Sequence, residues 1–119
     1  MSSQIERKNM PEVREDAQMG MIEKLHQEIE LVGRHLDVIR VVEKHQPIGI
    51  MKLAELLDLP YHRVRYSLRV LEQFGYIRAS PAGAVATSEA EELLKTLDDQ
   101  IEQIIGELKS MKEKNIHNI

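Results

Sequence analysis

The chain has 119 residues, enough for one modest hydrophobic core but not two. It contains no cysteine, which excludes disulfides, thiolate zinc sites and cysteine nucleophiles, and its formal net charge of −4 opposes general attraction to phosphate. The polar N-terminus has no apolar signal region and no stretch approaches the roughly 18 apolar residues of a membrane span, so the expectation is a soluble, cytoplasmic protein with no membrane partner.

Charge is unevenly spread. Residues 1–46 carry seven Lys/Arg and nine acidic side chains, 47–60 one and two, 61–87 four and one, and 88–119 four and eight. Only the third segment is basic.

Residues 1–10 are polar and aperiodic and read as a flexible arm. From about Pro11 to about His45 the pattern predicts a long helix, with Asn9 as its cap and Pro11 in the first turn, where a missing N–H is harmless. Within residues 11–46, Ile22, Leu25, Ile29, Val32, Leu36 and Ile39 alternate by three and four, a coiled-coil seam. Gly20 and Gly33 each cost about 1 kcal/mol inside such a helix. From Leu36 onward Val38, Ile39, Val41 and Val42 surround the helix with apolar groups, so this end is expected to enter the core. His45 near the helix C-terminus is placed to interact with the free carbonyls.

Pro47 ends that helix, and Ile48-Gly49-Ile50 reads as a short extended piece. Residues 51–58 (Met51, Leu53, Ala54, Leu56, Leu57) predict a short helix that stops near Leu59-Pro60. A third helix runs from about Tyr61 to Phe74, with Gly75 as the residue beyond its cap. Tyr76–Ala79 and Ala84–Thr87 read as strands joined by a turn at Ser80–Gly83. Ser88-Glu89-Ala90-Glu91 has the form of a capping box that opens a last helix to about Asn115. Its seam is Leu94, Leu97, Ile101, Ile104, Leu108 and Met111, again at three and four.

The third helix carries the functional reading. At about 100° per residue, Val64, Leu68 and Leu71 share one apolar arc with Ser67 and Phe74 on its flank. His62, Arg65, Tyr66, Arg69 and Gln73 occupy the opposite side, with Glu72 at its edge. A stripe of arginines, an aromatic, a histidine and an amide suits the major groove of duplex DNA, because guanidinium groups bridge guanine O6 and N7 or hold phosphates. Arg63 at the margin reads as a phosphate contact, and Arg78 is placed to reach adjacent backbone or minor groove. The competing reading is an ordinary solvated helix face, against which stands the absence of acid from the stripe. Ser80 to Thr87 holds no Lys or Arg, an unusually bare hairpin.

The run Leu53-Ala54-Glu55-Leu56-Leu57-Asp58-Leu59, followed by an arginine-bearing helix ending Leu71-Glu72-Gln73-Phe74-Gly75-Tyr76-Ile77, resembles the winged helix-turn-helix of small archaeal and bacterial transcriptional regulators. The resemblance covers residues 47–88, about a third of the chain. It implies a mainly α fold with a β-hairpin wing, Ala54 as the small residue that lets helices approach, and a Gly75 turn leading into the wing. It also implies DNA binding, and dimerisation through long terminal helices at 11–46 and 89–119.

A last helix of this length outreaches what so small a domain covers, so a second copy is the expected partner of the seams Ile22, Leu25, Ile29, Val32 and Leu94, Leu97, Ile101, Ile104, Leu108, Met111. Pairing of the first and last helices within one chain remains the other possibility. Glu23-x-x-His26 has the spacing of one half of a di-iron site, but a single copy does not make one, and His26 is read as a surface residue. His35 and Asp37 face different sides of a helix and do not pair directly. Met19-Gly20-Met21 is read as interface filler, and any small-molecule effector is unspecified. No phosphate-loop, nucleophile-elbow or zinc-protease motif occurs, so neither enzymatic activity nor a cofactor or metal is expected. The alternatives to a sequence-specific regulator are a winged-helix protein-interaction module and a non-specific architectural DNA-binding protein.

Overall fold

A computed structural model describes residues 19–112. In chain order these form helix α1 (Met21–His45), α2 (Ile50–Leu57), α3 (Tyr61–Gln73), strands β1 (Ile77–Ser80) and β2 (Gly83–Ala86), and helix α4 (Ser88–Lys112). The architecture is mainly helical with one two-stranded antiparallel hairpin. The chain divides into two compact units between Asp37 and Val38.

In the first unit, α1 begins at Met21 rather than near Pro11. Gly20 is its cap: the Lys24 N–H donates to the Gly20 carbonyl at 3.0 Å, and the Glu23 carboxylate accepts the Gly20 N–H at 3.3 Å. That returning carboxylate is half of a capping box, so Gly20 starts the helix instead of weakening its interior. The part of the expected helix from Pro11 to Gln18, and the 1–10 arm, lie outside the described residues. Residues 21–30 are exposed on every face, whereas His35 is buried. Burial, and after it the charge of Arg34, lowers the His35 pKa from its ordinary value near 6.5.

The second unit is built around one core of Val38, Ile39, Val42, Ile48, Leu53, Val64, Leu71, Ile77 and Ala90. The all-round apolar end of α1 enters it as expected. Helix α2 inserts Leu53 and leaves Met51 and Leu56 exposed, with Ala54 at the core's edge.

Two tight helix ends bracket α3. Asp58 takes the left-handed conformation (φ 53°), so that its N–H reaches the Glu55 carbonyl and the Leu59 N–H reaches that of Ala54, at 3.2 and 3.1 Å. Aspartate is among the few residues that visit this region readily. The chain then turns at once into α3, where the Pro60 carbonyl accepts the N–H groups of Arg63 and Val64. At the far end Gly75 has φ +83°, the Tyr76 N–H bonds the Leu71 carbonyl at 2.9 Å, and the Gly75 N–H bonds that of Glu72 at 3.0 Å. This paired closure is the glycine stop anticipated from sequence.

The hairpin pairs Ile77 with Ala86, Arg78 with Val85, Ala79 with Ala84 and Ser80 with Gly83. Its second strand also bridges Ile48: the Ile48 N–H donates to the Ala84 carbonyl at 3.1 Å and the Ala84 N–H returns to Ile48 at 2.8 Å. The extended piece before α2 therefore acts as a third edge. Gly83, read from sequence as turn, is the first residue of β2.

The start of α4 differs from expectation. Thr87, not Ser88, is the cap: its hydroxyl oxygen accepts the Ala90 N–H at 3.3 Å while its O–H donates to the Gly75 carbonyl at 2.6 Å. The Thr87 N–H also donates to Tyr76, so pairing with the hairpin fixes which hydroxyl is in reach. Ser88 instead donates to the Glu89 carboxylate at 2.8 Å; with the Glu89 N–H, this holds that carboxyl below the usual range. Among the described residues no helix is long and apolar enough to cross a membrane.

Candidate nucleic-acid interface

Helix α3 is amphipathic in the sense the sequence predicts. Val64, Ser67 and Leu71 are buried and Leu68 and Val70 half-buried, while His62, Arg63, Arg65, Tyr66, Arg69 and Gln73 are all exposed. His62, Arg65, Tyr66, Arg69 and Gln73 span an arc of about 100° at roughly 100° per residue. Its reverse side is fixed in the core, so the arc cannot roll inward without extracting Val64 and Leu71.

Two positions differ from the sequence reading. Ser67, placed on the flank, is fully buried with 0 % exposure. Phe74, placed beside it, caps the helix, is 68 % exposed and stacks on Tyr76 with ring centroids 6.0 Å apart. An open groove of about 550 Å³ lies beside this pair, bordered by Glu89, Leu93 and Thr96 of α4. At about 100° per residue Phe74 lies half a turn round from Arg65.

Tyr61 is the member of the surface that sequence reasoning missed. The Arg65 guanidinium carbon sits 4.7 Å from the centroid of the Tyr61 ring, a cation–π contact. The signal was present as an i, i+4 spacing.

The electrostatics of the helix starts point the same way. Neither α2 nor α3 has a side-chain cap bond or an acidic residue in its first turn, whereas α1 has Glu23 and α4 has Glu89 and Glu91. The partial positive charge at the α2 and α3 N-termini is therefore not offset by a first-turn carboxylate. Glu72, the one acidic residue of 61–87, stands at the edge of the arc and borders a cleft of about 220 Å³ beside the hairpin. Arg78 is exposed in β1, where strand alternation turns it to the face opposite buried Ile77. The hairpin tip is closed on itself, with the Ser80 hydroxyl donating to the Gly83 carbonyl at 2.6 Å.

The two seams are only partly open. Ile22, Leu25, Ile29 and Val32 of α1 are exposed, as are Ile101, Ile104 and Met111 of α4, with Leu108 half-buried. Ile105, not singled out from sequence, joins them. Leu94 and Leu97 do not: Leu94 packs against the core and Leu97 is 7 % exposed, so the chain itself already covers the stretch of α4 nearest Ala90. The exposed seam on α4 begins only at Ile101. Glu23, considered with His26 as half a metal site, is engaged in starting α1. Among the described residues no group of three or more His, Asp or Glu is placed to hold a metal ion. No protein-family model matches the chain, and no curated protein matches it either.

Proposed function

We propose that the chain is a winged helix-turn-helix transcriptional regulator, without enzymatic activity, that binds duplex DNA as a homodimer with α3 in the major groove. The order of elements supports the winged-helix assignment: α2 and α3 joined by a three-residue turn, then a hairpin, then a long helix. The observation that carries the functional reading is the exposed arc of α3, cationic and free of acid, whose reverse side is anchored in the core. Arg65 and Arg69 are the expected base or phosphate contacts, Arg63 and the uncapped helix starts the expected phosphate contacts. The exposed apolar residues of α1 and of α4 from Ile101 onward support a second copy as partner.

The test is selection of bound fragments from random duplex DNA, followed by affinity measured against salt. Removing one phosphate contact lowers the slope of log K against log salt by about 0.9. Segment 61–87 holds four Lys/Arg, so it supplies a slope of at most about 3.6 per protomer. Arg65→Ala or Arg69→Ala lowers the slope by about one if the arginine holds a phosphate. Unchanged affinity and slope in both variants remove α3 from the interface.

Two observations favour a second reading, a protein-docking module. Phe74 is exposed beside an acidic-edged groove, and the hairpin from Ser80 to Thr87 has no cation. Failure to retain any duplex at about 50 mM salt would favour it.

A further inference from the structure

We infer that Tyr61 is the positioning residue that makes Arg65 a guanine reader, so that the duplexes recognised carry a guanine at one fixed place in each half-site. The inference rests on the DNA-binding reading and deepens it.

Arginine presents a planar fork of N–H donors on a stem with many rotamers, and ordering that stem costs binding free energy. In this chain the stem is held before any ligand arrives. Tyr61 is the first residue of α3 and Arg65 lies one turn further on; the guanidinium rests 4.7 Å from the ring centroid, and both side chains remain open to solvent. A guanidinium stacked face-on over a ring keeps its in-plane N–H groups clear of that ring, and those are the donors that bridge guanine O6 and N7 in the major groove. Stacking and base reading are therefore compatible in one conformation, and the ring selects that conformation.

The location suits base reading. Residues near the N-terminus of a recognition helix are the ones that meet base edges. Tyr61 and Arg65 fill the first turn and a half of α3, next to a helix start without a cap bond or first-turn carboxylate. Tyr61 itself follows Pro60, the extended cap residue (φ −60°, ψ 145°) from which α3 starts.

Two measurements on the full-length chain test this. The first needs no DNA: ring-current shifts place the Arg65 side-chain proton resonances upfield in the wild type and in Tyr61→Phe, and Tyr61→Leu returns them towards random-coil positions. The second uses the tightest duplex from random selection, with each guanine replaced in turn by 7-deazaguanine, which lacks the N7 acceptor. One guanine per half-site is expected to show a loss of affinity on replacement that Arg65→Ala abolishes. Tyr61→Leu reduces that loss about two- to five-fold, the worth of an exposed cation–π contact. Tyr61→Phe restores full discrimination, which a general folding defect would not do. If the wild type retains no duplex, the DNA-binding reading fails and this inference with it, whatever the resonances show. If Arg65→Ala removes the discrimination but Tyr61→Leu keeps it whole, the DNA-binding reading stands and the role of Tyr61 is overturned. The role is equally overturned if no guanine responds to Arg65→Ala.

Discussion

Replacing Gly83 by alanine is expected to loosen the hairpin from the segment that leads into α2, at a cost that is a large share of the protein's stability. Gly83 has φ +136°, a conformation side-chain-bearing residues rarely adopt, and an added Cβ would lie 2.6, 2.7 and 2.8 Å from the carbonyl carbon, carbonyl oxygen and nitrogen of Ile48. These are backbone atoms and cannot rotate aside. Either residue 83 keeps a strained conformation, at about 1–3 kcal/mol, or the strand retreats and gives up the two bonds between Ile48 and Ala84, at about 0.5–1.5 kcal/mol each. Either route costs about 1–3 kcal/mol against a typical total of roughly 5–15. Urea unfolding followed by circular dichroism measures it: the midpoint falls while the slope, set by exposed surface, is unchanged. Gly33→Ala provides a control of opposite sign, because its Cβ meets nothing within 4 Å and glycine weakens a helix interior by about 1 kcal/mol. A Gly83→Ala protein within about 0.5 kcal/mol of wild type, the usual scatter of harmless substitutions, would refute the close approach of β2 to Ile48.

Thr87→Ala removes the cap of α4 and the donor to the Gly75 carbonyl, and is expected to cost about 1–2 kcal/mol in thermal or urea unfolding, with Thr87→Ser recovering most of it. His35 has a lowered pKa in the folded chain, so below its ordinary value near 6.5 the unfolded chain takes up a proton that the folded chain resists. Its contribution is therefore whole above that pH and declines as pH falls towards the folded-state value; the melting temperature of wild type should drop faster than that of His35→Gln across this window. Ile104→Asp should shift sedimentation towards monomer with the helical signal of the fold retained, whereas Leu97→Asp, at a position the chain already buries, should lower the unfolding midpoint itself.

Periodicity made α3 legible because both of its faces are nearly pure. Val64, Leu68 and Leu71 are unambiguously apolar and Arg65 and Arg69 unambiguously charged, so their sides follow from 3.6 residues per turn. The exceptions have physical causes. Ser67 is small and polar, and a hydrophobic pattern cannot distinguish a hydroxyl that fits against a neighbouring element from one in water. Phe74 is apolar but falls where the helix is already turning towards Gly75, so extrapolating the helical face misplaces it. Leu94 and Leu97 continue the same heptad as Ile101 and Ile104, and a heptad does not say whether its chain or another covers each turn. At the start of α4, Ser88-x-x-Glu91 satisfies the local rule for a cap, but the bond from the Thr87 N–H to Tyr76 decides which hydroxyl reaches the helix. That bond spans the hairpin and is invisible to a local motif.

The bare hairpin and the net charge of −4 become consistent with the proposed function once attachment and attraction are assigned to different elements. The hairpin has structural work of its own, since it bridges Ile48 ahead of α2, carries Thr87 to the start of α4, and contributes Ile77 to the core. Those three attachments tie the hairpin to the approach to α2, to the start of α4 and to the core, and need no cation. Attraction falls to α3 and the start of β1, where four of the chain's 16 Lys/Arg side chains stand in a segment with one carboxylate. The eight acidic residues of 88–119 oppose it only within the screening length, about 8 Å at physiological ionic strength, which is short beside the roughly 37 Å of a 25-residue helix. Carboxylates of α4 that lie more than this length from the arc therefore weaken attraction little at that salt concentration and more at low salt. On the proposed reading, the local charge of the arc governs contact with phosphate, and the total charge of the chain governs chiefly its repulsion from other copies at long range.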